Sequence, residues 1–364
     1  MRVHWYWPFA RPEELDWAVG TARNDDEIVV QVIDRPAAPA AGRAGPVTIV
    51  RDLPDVNRNT TNRIEWVASR ARTYRRRASR RRSLWRTHQF DLVHLHYANR
   101  FTDGFVRPPG PWVLSVHDVV PHEPRLGTLV ERQLLRLLYR RPDALVVHHQ
   151  RLADVLMSDF AVGSDRVHVV PHQVFPVPGR PGPRPDGVPM VLFFGALRAN
   201  KGLEVLAQAV ELLDPDLVRF HIAGRGDSAT EQAVRRLAER HRHVDVELGH
   251  ATLDRKRALF RDASIVVLPY RTFASQSGVL HDAYGHGRPV VVTDVGALGE
   301  TVREDRTGLV VGAGDPTALA GAIADLATTD RWAELSRAGL RIAAERSPEA
   351  SGRLLRAVYD QVVH

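Results

Sequence analysis

A serine and a glycine stand side by side at Ser277 and Gly278, directly ahead of a short helical pattern. Asp282 follows four residues after Gly278, and Gly287 and Pro289 then lead into an apolar run. This order predicts a turn, a helix and a buried strand. The unpaired N–H groups and the positive dipole end of a helix start favour an anion such as a diphosphate. The plain alternative is that Ser277 only caps the helix.

Two cations, Arg198 and Lys201, follow the strand predicted at residues 190–195. After the next predicted strand, residues 224–226 read Gly-Arg-Gly, where the backbone can approach a flat ligand closely. Because loops that follow parallel strands meet at one sheet edge, we expect these groups to lie near Gly278. Two cations and a helix start can offset the charge of a diphosphate without a metal. Taken singly, each cation is typical of an ordinary protein surface.

Polar groups also follow two strands predicted in the first half of the chain, at residues 92–96 and 112–116. The side chains concerned are His96, Asn99, His117 and Asp118. Ligands gather at such carboxyl ends in open parallel sheets. The chain has 17 histidines, so His117 is distinguished from the others only by its position.

Length and composition narrow the class of protein. The 364 residues suit two domains, and the 44% that are apolar can supply a core to each. The absence of cysteine excludes disulfides and thiolate metal sites and favours a reducing compartment. No signal peptide is recognisable, and no apolar run approaches the ~20 residues of a membrane span. We expect a cytoplasmic protein, with peripheral contact at the inner membrane face as an open alternative.

Apolar strand patterns alternate with amphipathic helical patterns throughout the chain. Strands are predicted at residues 2–6, 28–33, 92–96, 112–116, 144–148 and 167–170, then at 190–195, 218–224, 244–248, 265–268, 290–293 and 309–311. Helices are predicted between them, for example at residues 12–21, 123–140, 152–159 and 201–213. Continuous apolar strands separated by amphipathic helices indicate parallel sheets covered on both faces. The fold class is therefore α/β, with two Rossmann-like parallel-sheet domains facing across a cleft.

Domain boundaries follow from the prolines and glycines of residues 176–189, which block regular structure and predict a linker. The linker separates an N-terminal domain, residues 1–175, from a C-terminal domain, residues 190–345. The remaining residues, 346–364, are expected to form a helix that could return to the N-terminal domain.

An arginine-rich segment covers residues 62–86, with ten arginines against one acid, Glu65. The simplest interpretation is a solvated helix face, and a GC-rich genome would explain much of the arginine behind the net charge of +7. Docking on anionic lipid and recruitment of a soluble anionic acceptor are the alternatives. Nucleic-acid binding is a further reading of a different class, but a single basic helix lacks a recognisable reading module.

Six segments together carry a family resemblance. They are GALRANKG at 195–202, HIAGRG at 221–226, SGVLHDAYGHGRPVVVTDVGALGE at 277–300, FDLVHLHYAN at 90–99, VLSVHD at 113–118 and VHVVPHQVF at 167–175. In this order they resemble the retaining family-four glycosyltransferases of the GT-B fold. The resemblance implies an acceptor-side N-terminal domain and a nucleotide-sugar-binding C-terminal domain. It also implies metal-independent transfer, with retention, from a UDP-, GDP- or dTDP-sugar to a hydroxyl of a small-molecule, glycan or lipid-linked acceptor.

The resemblance implies roles for individual residues as well. Arg198 and Lys201 match the pair that contacts the donor diphosphate, and Asp282 matches the acid that holds the ribose, normally a glutamate. His117 matches the cleft histidine beside the transferred sugar. The expected donor site comprises Gly195, Arg198, Lys201, Gly224, Ser277, Gly278, Val279 and Asp282. The expected acceptor side comprises His96, Asn99, His117 and Asp118, and the residues expected to be catalytic are His117, Arg198 and Lys201.

Two departures from the family pattern concern the sugar and the acceptor. Ala274 stands where a second glutamate is frequent, with Ser275 and Gln276 as the nearest polar residues, and residues 7–9 replace the usual glycine-rich turn. We assign no carboxylate nucleophile, no metal and no cofactor. The Asp-Pro-Asp at 214–216 predicts a turn rather than a metal site. A sugar-nucleotide epimerase or a phosphorylase of the same architecture is the alternative function.

Overall fold

A computed structural model describes residues 1–56, 63–119, 128–175, 177, 184–273 and 277–364. The chain forms two compact units, one of Met1–Pro171 with Pro348–His364 and one of His172–Ser347. Most of the predicted linker lies outside the described residues. Its described positions, 177 and 184–189, belong to neither a helix nor a strand.

The helices and strands alternate along the chain. The first unit begins with β1 (Arg2–Tyr6), α1 (Leu15–Thr21), β2 (Glu27–Ile33), β3 (Gly42–Ala44), β4 (Val47–Leu53), α2 (Arg63–Thr87), β5 (Leu92–Leu95), β6 (Trp112–Ser115), α3 (Thr128–Tyr139), β7 (Ala144–Val147), α4 (Gln150–Phe160) and β8 (Val167–Val169). The second unit comprises β9 (Met190–Leu197), α5 (Leu203–Leu212), β10 (Arg219–Gly226), α6 (Ser228–Arg240), β11 (Val244–Leu248), α7 (Leu253–Asp262), β12 (Ile265–Leu268), α8 (Gly278–Gly285), β13 (Val290–Thr293), α9 (Gly296–Asp305), β14 (Gly308–Val311), α10 (Pro316–Thr328) and α11 (Arg331–Glu345). The chain then returns to the first unit as α12 (Pro348–Val363).

The first sheet has eight strands in the order β3-β4-β2-β1-β5-β6-β7-β8. All neighbours pair in parallel except β3 and β4, which form an antiparallel pair at the edge. The sequence did not predict β3 or β4. Because β4 lies next to the edge, its residues alternate between buried and partly exposed instead of forming a continuous apolar run. The strand order reverses between β1 and β5, where ligand crevices of open α/β sheets form.

Helix α12 packs on α1 through a close approach of two backbones. A Cβ at Gly20 would lie only 2.7 Å from the Cα of Glu349, so glycine is needed where the helices cross. The contact brings Tyr359 into the first unit, where its hydroxyl lies 2.5 Å from Nδ1 of the buried His94. This packing explains why the last residues of the chain belong to the first unit.

The second sheet is entirely parallel, with the order β11-β10-β9-β12-β13-β14. Alternate residues of β9 enter different apolar clusters: Val191 and Phe193 enter one, and Met190 and Leu192 enter the other. Both faces of the sheet are therefore covered, as the continuous apolar strands predict. The order reverses between β9 and β12, which makes this the second position where a crevice is expected.

Helix α2 contains residues 63–86 of the arginine-rich segment. Asn62, the first residue of that segment, lies outside the described residues. The outer face of α2 is solvated, with Arg72, Arg75, Arg76, Arg80, Arg82 and Arg86 exposed. The prediction of a solvated arginine-rich face is wrong for the inner face of α2, where Arg77 and Arg81 are buried. Within the described residues, no helix combines the length and the apolar character needed to cross a bilayer.

Candidate functional site

The loops after β9 and β12 flank the point where the second strand order reverses. The first loop contains a short 3-10 turn, Ala199–Lys201. Arg198 directly precedes this turn and Lys201 is its last residue. The backbone N–H of Arg271, in the second loop, donates to the carbonyl of Asn200 at 2.9 Å. This hydrogen bond fixes the two loops to one another at the carboxyl edge of the sheet.

Lys201 is held by aromatic rings of the second loop. Its Nζ lies 3.5 Å from the ring centroid of Tyr270 and 4.4 Å from that of Phe273, which is cation–π geometry. The hydroxyl of Tyr270 lies 3.1 Å from Oγ of Ser277. Burial raises the pKa of Tyr270 to about 12, so this hydroxyl stays protonated at neutral pH. Tyr270 therefore joins the lysine to the start of α8.

The start of α8 is not closed by its own cap residue. Ser277 precedes the helix, but its side chain makes no capping hydrogen bond, since its Oγ is turned to Tyr270. Gly278 is exposed, and a Cβ there would meet no atom of the described residues within 4 Å. The simple capping role considered for Ser277 is therefore wrong. The first N–H groups of α8 and its positive dipole end are suited to bind an anion.

Three further residues of the predicted donor-binding site, Gly195, Gly224 and Val279, lie at the strand ends or in the first turn of α8. A Cβ at Gly195 would lie 3.7 Å from the side chain of Val279, which brings the end of β9 next to α8. Gly224 is the register partner of Gly195, and a Cβ at Gly224 would overlap the Gly195 carbonyl oxygen. The close approach of the two strand ends therefore requires glycine at 224, while the φ of 124° favours glycine at 195.

Arg198 is exposed, and among the described residues its side chain has neither an ion pair nor a hydrogen bond. Arg225, on the neighbouring strand end, contacts Nε2 of His250 at 3.3 Å. Arg198 therefore has donors available to a diphosphate.

Asp282 carries an ion pair that sequence reasoning missed. Nζ of Lys256, on α7, lies 2.6 Å from Oδ1 of Asp282. The one feature of the sequence that could have drawn attention to Lys256 is the rarity of lysine, because Lys201 and Lys256 are the only lysines of the chain. The carboxylate keeps a second oxygen that can accept from a hydroxyl. The departures noted at Ala274, Ser275 and Gln276 lie outside the described residues.

In the first unit, His117 is half-buried behind the end of β6. Its Nε2 lies 2.9 Å from the carbonyl oxygen of His96, and because a carbonyl only accepts, Nε2 carries the proton. The ring stacks on Tyr97 at 4.5 Å between centroids. Asp118 is exposed, and Asn99 is half-buried, with its side-chain oxygen accepting from the backbone of Phe101. These residues do share one edge of the first sheet.

The structure corrects the expectation for the side chain of His96. The ring is fully buried against Trp5, Trp7 and Trp17, and neither ring nitrogen has a hydrogen-bond partner within the described part of the chain. Burial, with smaller contributions from neighbouring histidines, lowers its pKa well below the usual value. His96 is therefore a core residue that positions His117 through its carbonyl, because a ring without exposure cannot touch an acceptor.

The Asp-Pro-Asp segment is a turn, as its proline predicts. Oδ1 of Asp214 accepts from the backbone N–H of Asp216 at 2.8 Å, and the carboxylate of Asp216 pairs with Arg242. Among the residues that the structure describes, no three His, Asp or Glu side chains are grouped so that they could hold a metal ion.

Comparison with known proteins connects both units to one family. Residues 16–176 match the family described as Glycosyltransferase Family 4, and residues 188–329 match Glycosyl transferases group 1. The D-inositol 3-phosphate glycosyltransferase of Xylanimonas cellulosilytica is 31% identical over 71% of this chain and 68% of its own length. That of Corynebacterium glutamicum is 34% identical over 52% of this chain and 50% of its own length.

Solved structures share the fold at low sequence identity. Sucrose-phosphate synthase of Thermosynechococcus elongatus has a TM-score of 0.73 at 17% identity, over 99% of this chain and 98% of that one. The Anabaena protein HepE, solved with UDP and glucose, has a TM-score of 0.67 at 15% identity, over 99% of both chains. The fold is GT-B. The chain is 31% identical to the Xylanimonas cellulosilytica protein over more than two thirds of that protein's length. It therefore belongs to the family-four glycosyltransferases and is a glycosyltransferase.

Proposed function

We propose that the enzyme transfers a sugar from a nucleoside-diphosphate donor to a hydroxyl acceptor, with retained anomeric configuration and without a metal or other cofactor. The observation that carries the proposal is the grouping of Arg198, Lys201 and the open start of α8 around one strand reversal. Two cations and a helix start suit the negative charge that a departing diphosphate develops.

In the proposed step, the bond between the anomeric carbon and the diphosphate oxygen breaks while the acceptor oxygen attacks from the same face. The proton of the acceptor hydroxyl passes to the departing phosphate oxygen. Arg198, Lys201 and the N–H groups at Gly278 stabilise the leaving group. Asp282 holds the ribose through its second oxygen. His117 lies beside the transferred sugar, and no carboxylate acts as a nucleophile.

Named relatives support a nucleotide-sugar donor. The structural neighbour HepE has been solved with UDP-glucose. We therefore place UDP-sugars first, with GDP- and dTDP-sugars as the other donor classes. The acceptor hydroxyl would belong to a small molecule, a glycan or a lipid-linked sugar.

A thermal-shift panel of UDP, GDP, dTDP and ADP tests the donor site. A ligand that binds only the folded protein raises the unfolding temperature, so the favoured base should stand out. Product analysis with and without acceptor, in EDTA, then tests the reaction. Glycoside formation with retained configuration supports the proposal. An epimerised nucleotide sugar, or release of sugar phosphate from a glycoside with inorganic phosphate, would establish the epimerase or the phosphorylase instead.

We propose that the enzyme works in the cytoplasm on a soluble acceptor. The exposed arginines of α2 leave contact with an anionic membrane as the alternative, since each basic residue near such a surface contributes about 1 kcal/mol. Sedimentation with anionic vesicles at low salt but not at high salt would establish membrane contact. Protein that stays in the supernatant at low salt supports the soluble case.

A further inference from the structure

The first unit contains a cavity of about 140 Å³ at its own strand reversal. Tyr6, at the end of β1, lines it, as do Tyr97 and Asn99, which follow β5, and Arg77 and Arg81 of α2. A single water needs only about 10–15 Å³ of such space. The cavity therefore has room for a ligand group of several heavy atoms.

Two buried guanidinium groups in the wall of this cavity have unused donors. Arg77 is 4% exposed and Arg81 is 1% exposed. Nη2 of Arg77, and Nε and Nη1 of Arg81, have no hydrogen-bond partner within the described part of the chain. A buried donor without a partner is unfavourable, so the arrangement favours an acceptor group in the cavity.

The charge of these two groups is only partly balanced. Nη2 of Arg81 donates to Oδ1 of Asp103 at 2.7 Å. Asp103 also accepts from the backbone of Asn99 and from the hydroxyl of Thr102, which fixes its carboxylate in place. Arg77 donates through Nε to the carbonyl of Pro54, and its ion pair with the exposed Asp55 is long, at 3.8 Å. Asp103 is therefore the partner of Arg81, whereas Arg77 has no carboxylate at hydrogen-bond distance among the described residues, which leaves a place for an anion.

The remaining walls are aromatic and lead towards His117. Phe9 and Tyr97 line the cavity, are 42% and 40% exposed, and meet edge to face. Their exposed ring faces are suited to the C–H face of a polyol ring. Tyr97 also stacks on His117. A molecule in the cavity would therefore be separated from His117 by a single ring.

We propose that this cavity binds an oxyanion, a phosphate or a carboxylate, carried by the acceptor polyol, with Arg77 and Arg81 as its donors. Arginine is suited to the role because its planar fork matches both groups with paired hydrogen bonds. The inference rests on the proposed transfer function and narrows the acceptor to anionic polyols. The anion docks between α2 and the end of β5, and a hydroxyl of the same molecule extends past Tyr97.

Binding can be tested without any transfer. The probes are glucose 6-phosphate, glucuronate, inorganic phosphate and neutral glucose, added to the full chain and followed by calorimetry. We expect at least one anionic sugar to bind and glucose to bind much more weakly. The Arg77→Gln variant should bind that sugar about tenfold to a hundredfold more weakly, as expected when one hydrogen bond to a charged group is lost.

The matched control is Arg76→Gln, on the same helix. Arg76 is exposed and does not line the cavity, so this variant changes the net charge equally without touching the site. Arg77→Lys is a second test, because it keeps the charge and loses the fork. We expect it to retain part of the affinity. The circular dichroism of each variant at 25 °C checks the fold.

The outcomes separate this proposal from the proposed function. Equal binding of glucose and its anionic forms, or equal losses in Arg76→Gln and Arg77→Gln, would overturn the anion site. Loss confined to Arg77→Gln supports it. Binding of UDP or another nucleoside diphosphate is measured in parallel on the same variants. A protein that binds the anion but no nucleoside diphosphate contradicts the proposed function alone.

Discussion

At the scale of single residues, the rarity of lysine is informative. The chain has 50 lysines and arginines together, yet only two are lysines, and both lie at the candidate donor site. Lysine presents a compact charge on a flexible stem, whereas arginine presents a broad planar fork. Nζ of Lys201 lies over the rings of Tyr270 and Phe273, and Nζ of Lys256 meets a single carboxylate oxygen. Both contacts use the point charge of an ammonium.

Replacing either predicted diphosphate cation should reduce catalysis without unfolding the protein. We expect Arg198→Ala and Lys201→Ala each to lose about 1.5–3 kcal/mol of transition-state stabilisation, or about tenfold to a hundredfold in kcat/KM. Steady-state kinetics with the identified donor checks this. Arg235→Ala, which removes an exposed arginine on α6, serves as the control and should remain active. Wild-type kinetics in both site variants would remove the proposed diphosphate site.

The ion pair of Asp282 with Lys256 gives two interpretations that kinetics can separate. If Asp282 holds the ribose, Asp282→Asn raises the donor KM by about tenfold and changes kcat less, since this contact is equal in ground and transition states. Lys256→Gln breaks the same ion pair and leaves the carboxylate in place. We expect a small effect from Lys256→Gln. Equal effects of the two variants would mean that Asp282 serves only the pair.

His117 is the residue whose loss should affect turnover but not donor binding. We expect His117→Ala to lower kcat by roughly tenfold to a hundredfold, because a group that positions the reactants is removed. The affinity for the nucleoside diphosphate, measured by calorimetry, should stay unchanged. His88→Ala, after the end of α2, is the comparison histidine. An unaltered kcat in His117→Ala would mean that His117 has no role in turnover.

At the scale of elements, Gly202 and Gly278, in the loops after β9 and β12, are glycines for different reasons. Gly202 ends the 3-10 turn with φ of 69°, and a Cβ there would overlap the carbonyl oxygen of Pro269. Gly278 begins α8 without a left-handed backbone, and its Cβ position has open space around it as far as the described residues go. The first glycine is required by the fold. The second leaves room for a ligand.

Alanine at these two positions should therefore give contrasting results. Gly278→Ala should stay within about 1 kcal/mol of the wild-type stability, because alanine suits a helix better than glycine. It should still weaken nucleoside-diphosphate binding by about tenfold, since its methyl group enters the anion space and displaces a backbone hydrogen bond to a charged group. Gly202→Ala should lose more than about 1 kcal/mol of stability. Urea unfolding and calorimetry measure both effects, and unchanged nucleotide affinity in Gly278→Ala would contradict the anion seat at α8.

At the scale of the whole molecule, buried neutral histidines should govern stability in acid. Burial lowers the pKa of His4 to about 3, and it lowers the pKa of His94 and His96 well below the usual value. A histidine with a depressed pKa binds protons more readily when the chain is unfolded. The stabilisation is therefore complete above the unfolded pKa near 6.5 and is lost as the pH falls towards the folded pKa.

The free energy of unfolding should accordingly fall between pH 6.5 and pH 4, by about 1 kcal/mol per pH unit for each such histidine. Urea titrations across that range measure the slope. His96→Leu tests the cause, because the ring of His96 has no hydrogen-bond partner among the described residues and an apolar side chain cannot take up a proton. We expect a shallower slope in this variant. The same slope as the wild type would exclude His96 as a contributor.

The sequence by itself determined the two parallel-sheet units and most strands of the second sheet. Three of those strands, Val244–Leu248, Ile265–Leu268 and Val290–Thr293, have the predicted bounds. Strands of this kind are covered on both faces, so their apolar runs are visible without knowledge of their neighbours. The loops after β9 and β12 could also be placed together, because parallel strands end at a common edge.

Only the tertiary structure decided which polar groups are buried and which partners they meet. His96 and Arg81 look like surface residues in the sequence, yet both are buried among residues distant in the chain. The pairing of Lys256 with Asp282 joins residues 26 positions apart on different helices. Local periodicity reports whether a segment is helix or strand, whereas burial and pairing depend on contacts that folding brings together.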